Sequence, residues 1–185
     1  MVKLNKIYTR TGDTGSAGLV DGSRVSKASA RMAAIGEIDE ANASVGMAIA
    51  LLRDDSPGEQ LRRVQNELFD LGADIATPGE VEGALRITSG QVERLEQEID
   101  AMNADLEPLR SFILPGGSPE VAGLHLARTV VRRAERSAVA LAQAEQVNPA
   151  ALAYLNRLSD LLFVAARFVA ARQGGDVLWQ PGATR

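Results

Sequence analysis

Apolar residues recur at helical spacing along most of the chain, and turn-forming residues divide them into five blocks. The first block starts near Ala28, carries Met32, Ile35, Ile38, Val45 and Ile49 on its expected inner face, and ends near Arg53. Ser56-Pro57, with Glu59 three residues after the serine, predicts the cap of a second helix. Its stripe of Leu61, Val64, Leu68, Leu71 and Ile75 stops at Thr77-Pro78-Gly79. Thr88-Ser89-Gly90-Gln91 predicts another cap, followed by Val92, Leu95, Ile99 and Met102. The apolar run Phe112-Ile113-Leu114 is cut by Pro115-Gly116-Gly117, and Ser118-Pro119 opens a fourth helix that runs to about Glu145. Asn148-Pro149 opens a fifth, with Leu155, Leu158, Leu162, Ala166 and Val169 inward, to about Arg172 before Gly174-Gly175. No strand alternation and no internal repeat is evident. The pattern predicts an all-α, up-and-down five-helix bundle over 28–173, a glycine-rich segment 1–27 before it and a short tail 174–185 after it.

Composition narrows the chemistry. The chain has 185 residues, 45% apolar and 24% charged, with a formal charge of −4, enough for one domain with a real core. With no cysteine and one histidine it can hold neither a disulfide framework nor a Cys/His zinc site, and a di-iron site built on two Glu-x-x-His pairs is excluded. The longest uncharged stretch, Ala41 to Leu52, is too short to span a bilayer, and MVKLNKIYTR has no apolar signal core; a cytoplasmic protein is expected. The acidic balance and an aromatic content of only 4% argue against nucleic-acid binding.

The fourth helix concentrates positive charge. Arg128, Arg132 and Arg136 are spaced i, i+4, i+8 and line one stripe, with His125 near it and Arg133 turned aside. Like charges at this spacing repel, so the stripe needs acidic partners from another helix or an anion to hold. Asp39 sits at the edge of the first helix's buried face and calls for a cation, which the arginine helix can offer, although spacing does not fix which arginine. Asn156 lies beside an apolar face and fits either the surface or a hydrogen-bond network. In the N-terminal segment, Thr9-Arg10-Thr11-Gly12-Asp13-Thr14-Gly15 combines backbone N–H groups, hydroxyls and a cation, the makings of a phosphate cradle, with Lys27 close behind. It is not a P-loop, since no Gly-Lys-[Ser/Thr] closes it, and the same residues also suit an unstructured arm. His125 reads first as a packed core residue, and Phe112 as core filler or, beside its Pro-Gly-Gly break, as the lining of a pocket.

Five segments in this order, Tyr8-Thr-Arg-Thr-Gly-Asp-x-Gly15, Gly36-Glu-Ile-Asp-Glu40, Phe112-Ile-Leu-Pro-Gly-Gly117, His125-x-Ala-Arg-x-x-x-Arg-Arg-Ala-Glu-Arg136 and Asn156-Arg-Leu-Ser-Asp160, resemble the PduO-type ATP:cob(I)alamin adenosyltransferases. The resemblance implies a homotrimer of five-helix bundles with active sites between subunits. It also implies transfer of the 5′-deoxyadenosyl group of ATP to the cobalt of cob(I)alamin, giving adenosylcobalamin and triphosphate. By the same resemblance Thr9, Arg10, Thr11, Gly12, Asp13 and Gly15 close over ATP. Lys27, Arg132, Arg133, Glu135, Arg136 and Asn156 supply further nucleotide contacts, with Glu135 at the Mg2+ site. Asp39 and Arg128 form an ion pair bridging two subunits, and together with Arg132 and Phe112 they act at the reaction itself. Phe112 crowds the lower face of the corrin and displaces its axial ligand. The implied partners are ATP, cob(I)alamin or cob(II)alamin, a reductase and an enzyme that accepts adenosylcobalamin; the tail after Gly174 carries little weight. Three other readings compete: an ATP-sensing or cofactor-delivery module without turnover, a structural bundle whose arginines are only salt-bridged, and a phosphoryl transferase.

Overall fold

A computed structural model describes residues 7–53 and 57–185. It contains five helices, α1 (Ala30–Leu51), α2 (Gly58–Ile75), α3 (Ser89–Asn103), α4 (Pro119–Ala142) and α5 (Pro149–Ala171), preceded by two three-residue strands, β1 (Ser16–Gly18) and β2 (Arg24–Ser26). Local signals set most helix starts. The Ser29, Ser118 and Asn148 side chains accept from Met32, Val121 and Ala150 N–H, and Pro119 and Pro149 occupy the first turns. At α3 the Thr88 N–H donates to Gln91 Oε1 at 2.9 Å, half of a capping box. The expected cap at Ser56 lies outside the described residues.

Chain direction alternates. Gly123 at the start of α4 meets Ala48 and Leu51 at the end of α1, while Arg133 pairs with Glu37 and Glu40, so these two helices are antiparallel. Arg63–Glu98 and Arg94–Glu67 pairs run antiparallel between α2 and α3. Helices close in sequence are not always close in space. The packed order is α2–α1–α4–α5–α3, and α2 and α3 meet through the long charged side chains just named. The long connections 76–88 and 104–118 make this order possible.

The α1–α4 seam is built from small residues. Ala34, Ala41 and Ala48 on α1 and Ala127, Ala134 and Ala138 on α4 are fully buried, and a β-carbon on Gly123 would stand 2.8 Å from Leu51 Cδ1. Small side chains let the two helix axes approach, and close-packed interiors tolerate little added volume. Met32, Ile35 and Ile49, expected inward, are only half-buried at the margins of this seam. Large aliphatic residues fill the rest: Leu61, Leu68, Leu71, Leu95, Leu124, Leu155 and Leu158 are buried completely.

Two buried polar knots tie α2 to the start of α5. Asp74, at the end of α2, accepts from Arg86 Nη1 (2.7 Å), Ile87 N–H (2.8 Å) and Asn148 Nδ2 (2.7 Å), tying the 76–88 connection to the cap of α5. Tyr154 donates to Glu67 Oε2 at 2.8 Å; burial first, and then the Glu67 charge, push its phenol pKa far upward, so it remains a donor.

The two strands correct the expectation of a purely helical chain. Ser16, Ala17 and Gly18 pair antiparallel with Ser26, Val25 and Arg24 around a turn in which Leu19 N–H donates to Ser23 O at 2.8 Å and Gly22 has φ 82°. Three-residue strands are too short for alternation to register. Long-range contacts hold them: Val20 N–H donates to Ala76 O at 3.1 Å, docking the hairpin on the end of α2.

Candidate functional site

The glycine-rich segment folds into consecutive tight turns, with Asp13 N–H donating to Arg10 O (3.3 Å) and Gly15 N–H to Gly12 O (3.1 Å). Arg10 has φ 62°, a left-handed conformation that costs a non-glycine residue about 1–3 kcal/mol. Its guanidinium lies 5.7 Å from the centre of the Tyr8 ring. The Thr9 and Thr11 hydroxyls share a hydrogen bond of 2.9 Å. Lys27 donates its N–H to Gly15 O at 2.9 Å, and its ammonium packs over Gly12, where a β-carbon would come within 3.1 Å of Nζ. Glycine at position 12 thus admits the lysine, and Lys27, Gly12 and Gly15 lie together. Arg24, which the sequence reading missed, staples the turns: Nη2 donates to Thr11 O and to Ser16 Oγ, each at 2.8 Å. No local signal marks it, because its partners lie 8 and 13 residues away.

Arg128, Arg132 and Arg136 lie along α4 and none pairs with a carboxylate among the described residues. Arg128 is half-buried over the Phe163 ring at 5.8 Å, and its Nε is buried with no partner. Burial first, and the Arg132 charge second, lower its pKa, the signature of a cation that lacks an anion. Arg132 is exposed, and its carbonyl accepts from Arg136 Nη1 at 3.0 Å. Arg133 behaves differently. Its Nε donates to Glu37 Oε2 at 2.5 Å and Nη2 pairs with Glu40; these hydrogen bonds, Glu37 first, hold its pKa above the usual arginine value. Glu135 Oε1 accepts from Asn156 Nδ2 at 2.9 Å, joining two expected site residues on α4 and α5. Asp39 is exposed and has no hydrogen-bond or ion-pair partner among the described residues. Among the described residues no hydrogen bond or ion pair joins 9–27 to Arg128, Arg132 or Arg136.

A cleft of about 750 Å3 opens beside the stripe, lined by Arg128, Arg132, Ser159 and Asp160 together with Phe112 and Trp179. Phe112 is 78% exposed, so it is not core filler. Its ring lies 6.0 Å from that of Trp179, tilted by 60°. The tail, treated above as carrying little weight, contributes to this lining: Ile113 and Leu178 make an antiparallel bridge, and Trp179 N–H donates to Phe112 O at 2.8 Å. A lone tryptophan in a polar tail was the one available sign. His125 is 2% exposed and faces Phe163, as a packed core histidine should, yet neither ring nitrogen has a partner. Burial, followed by the Arg128 charge, pushes its pKa down while Asp176 pulls it up.

No group of three or more acidic or histidine side chains suited to a metal occurs among the described residues. The described residues thus present a stripe of arginines along a cleft that Phe112 and Trp179 also line, and a separate hydroxyl-rich turn region.

Comparison with known proteins identifies the family. A model of the family described as cobalamin adenosyltransferase matches residues 7–169. The corrinoid adenosyltransferase of Mycobacterium tuberculosis H37Rv is 53% identical over 190 aligned positions, covering 100% of this chain and 97% of its own. That of Bacillus subtilis is 47% identical, covering 96% and 94%. A variant PduO-type ATP:corrinoid adenosyltransferase from Lactobacillus reuteri, complexed with cobalamin and ATP, superposes with a TM-score of 0.90 at 37% identity, covering 95% of this chain and 99% of that one.

Proposed function

The chain belongs to the cobalamin adenosyltransferase family, and from that premise we propose how its cleft joins ATP to a reduced corrinoid. The enzyme transfers the 5′-deoxyadenosyl group of ATP to cobalamin. The cobalt of cob(I)alamin supplies the electron pair that forms the bond to C5′ of ATP. The C5′–O bond breaks, and triphosphate departs with that bond's electrons. The substrate is the nucleophile, so a chain with no cysteine and one buried histidine lacks nothing for the reaction. One observation carries the reading: an exposed phenylalanine and two arginines without acidic partners among the described residues line the same cleft.

ATP occupies the turn region and the stripe. Thr9, Arg10, Thr11, Gly12, Asp13, Gly15 and Lys27 enclose it, and Arg132, Arg136 and Asn156 contact it from the helices. Arg132 meets the charge that builds on the leaving triphosphate, a preorganised donor of the kind that dominates such catalysis. Arg133 is committed to Glu37 and Glu40, so its contribution to nucleotide binding runs through the α1–α4 seam. Mg2+ fits a site with few protein ligands: Glu135 engages one oxygen with Asn156 and has the other available, and ATP phosphates and water complete the shell that Mg2+ prefers. When bound, the ion neutralises phosphate charge. Phe112 occupies the space below the corrin without acting as a ligand. Excluding the lower axial ligand makes the reduction of cob(II)alamin to cob(I)alamin easier.

The working assembly is a homotrimer. Among the described residues neither Asp39 nor Arg128 has an ion-pair partner of opposite charge, while Glu37 and Glu40 on the same helix as Asp39 are engaged with Arg133. A symmetric ring pairs Asp39 of one subunit with Arg128 of the next and repeats the site three times. Residues 1–27 act as the ATP-binding segment of this assembly and 28–173 as its bundle. A reductase and an adenosylcobalamin-requiring enzyme complete the route, and its setting is the cytoplasm. No helix among the described residues is long and apolar enough to cross a membrane.

Anaerobic mixing with MgATP and chemically reduced cob(I)alamin tests the reaction. The visible spectrum should convert to that of adenosylcobalamin with one triphosphate released per cobalt. ATP binding without product would favour the sensing or delivery module; release of ADP or pyrophosphate would indicate phosphoryl transfer.

A further inference from the structure

Phe112 is exposed, so core packing does not fix its position. Its segment is held by two attachments. Arg167 on α5, 8% exposed, donates Nη2 to the Glu107 carbonyl at 2.8 Å, where the segment begins. The tail holds the middle: Leu114 N–H donates to Val177 O and Trp179 N–H to Phe112 O, both at 2.8 Å, and Ser111 Oγ donates to Trp179 O at 2.9 Å.

The tail needs an anchor of its own. Between 171 and 185 every residue is exposed except Asp176. Asp176 Oδ2 accepts from Arg167 Nε at 3.1 Å. One buried guanidinium therefore grips both the start of the Phe112 segment and the start of the strand that braces it. Asp176 Oδ1 is also buried and unpaired, as are both ring nitrogens of His125, whose titration responds to the Asp176 charge.

We infer that Arg167 and Asp176 form a latch that seats residues 176–179 against the Phe112 segment, making Asp176 a positioning residue for Phe112. The inference rests on the proposed role of Phe112 beneath the corrin. It ties the reduction step to a carboxylate in the tail that does not line the cleft.

Trp179 is the only tryptophan of the chain and reports on the latch directly. In Asp176→Ala, emission should shift to the red and acrylamide quenching should rise about twofold as the tail opens, while the far-ultraviolet circular dichroism melt holds. Turnover from cob(II)alamin with reductant should fall about tenfold, with KM for ATP unchanged, and supply of pre-reduced cob(I)alamin should restore it. Asp176→Glu should recover both signals in part. Phe112→Ala, run in parallel, should show the same slowing from cob(II)alamin and the same restoration. If Phe112→Ala turns over normally from cob(II)alamin, the role of Phe112 is wrong. If Phe112→Ala is slow while Asp176→Ala keeps either its quenching or its rate, the latch is wrong. Should Asp176→Ala not fold, a chain ending at Gly175 gives the same kinetic comparison, and normal turnover from cob(II)alamin in it overturns the latch.

Discussion

Arg132→Ala lowers the single-turnover rate of adenosylcobalamin formation by about two to three orders of magnitude, the loss typical of removing one donor from a preorganised anion site. Arg132 is exposed at the cleft with no carboxylate to neutralise it, between Arg128 and Arg136 on the same stripe. Such a cation is held available for a ligand. Triphosphate gains charge at the bridging oxygen as the C5′–O bond breaks, so a donor aimed there acts more strongly in the transition state than in the ground state. Arg132→Lys should retain charge and lose the planar fork, and so fall between wild type and alanine. Rapid mixing of MgATP with cob(I)alamin measures the step. If the alanine variant raises KM for ATP and leaves kcat intact, Arg132 contributes uniform binding and not stabilisation of the leaving group.

Reversing Asp39 alone, as Asp39→Arg, should dissolve the proposed trimer and abolish turnover. In the proposed ring each subunit would contribute Asp39 to one neighbour and Arg128 to the other, so three contacts should fail at once. Where such a pair is fully buried, removing one partner costs about 3–5 kcal/mol per contact, mostly from the charge left uncompensated. Arg128 already shows that condition in the single chain: a buried Nε without a partner and a pKa lowered by burial. The double reversal Asp39→Arg with Arg128→Asp should restore the sedimentation coefficient of the trimer. Activity should return less completely, since Arg128 also stacks on Phe163 at the edge of the cleft. A monomeric wild type, or a double variant no better assembled than the single one, would remove this pairing.

The sequence was most legible where signals are local. Ser118-Pro119, Asn148-Pro149 and Thr88 with Gln91 begin helices within a residue or two of expectation because a cap and its N–H partners lie within one turn. Spacing alone also found the stripe Arg128, Arg132, Arg136. What it could not give depends on distant partners. Ile35 outranked Ala34 as a core candidate by hydrophobicity, but the approach of α1 to α4 selects alanine for the seam. The hairpin is stabilised by Arg24 and by the end of α2. Arg133 lies off the stripe, and its partners Glu37 and Glu40 lie on another helix. The tail looked free because its pairing partner, 112–114, lies about sixty residues earlier.

The alanine seam also bears on how the chain emerges during synthesis. On the order of 70 residues separate the end of α1 from the start of α4, so at about 5–20 residues per second α1 waits roughly 4–14 s for its main partner. In that interval α1 and α2 can form a hairpin on Leu61, Val64 and Leu68, leaving the narrow face of Ala34, Ala41 and Ala48 uncovered. A face of methyl groups offers little to a passing hydrophobic surface, whereas a leucine face of the same length would invite nascent chains to adhere to one another. The small side chains that bring two helices close in the finished molecule thus also keep the unfinished one unattractive until α4 arrives.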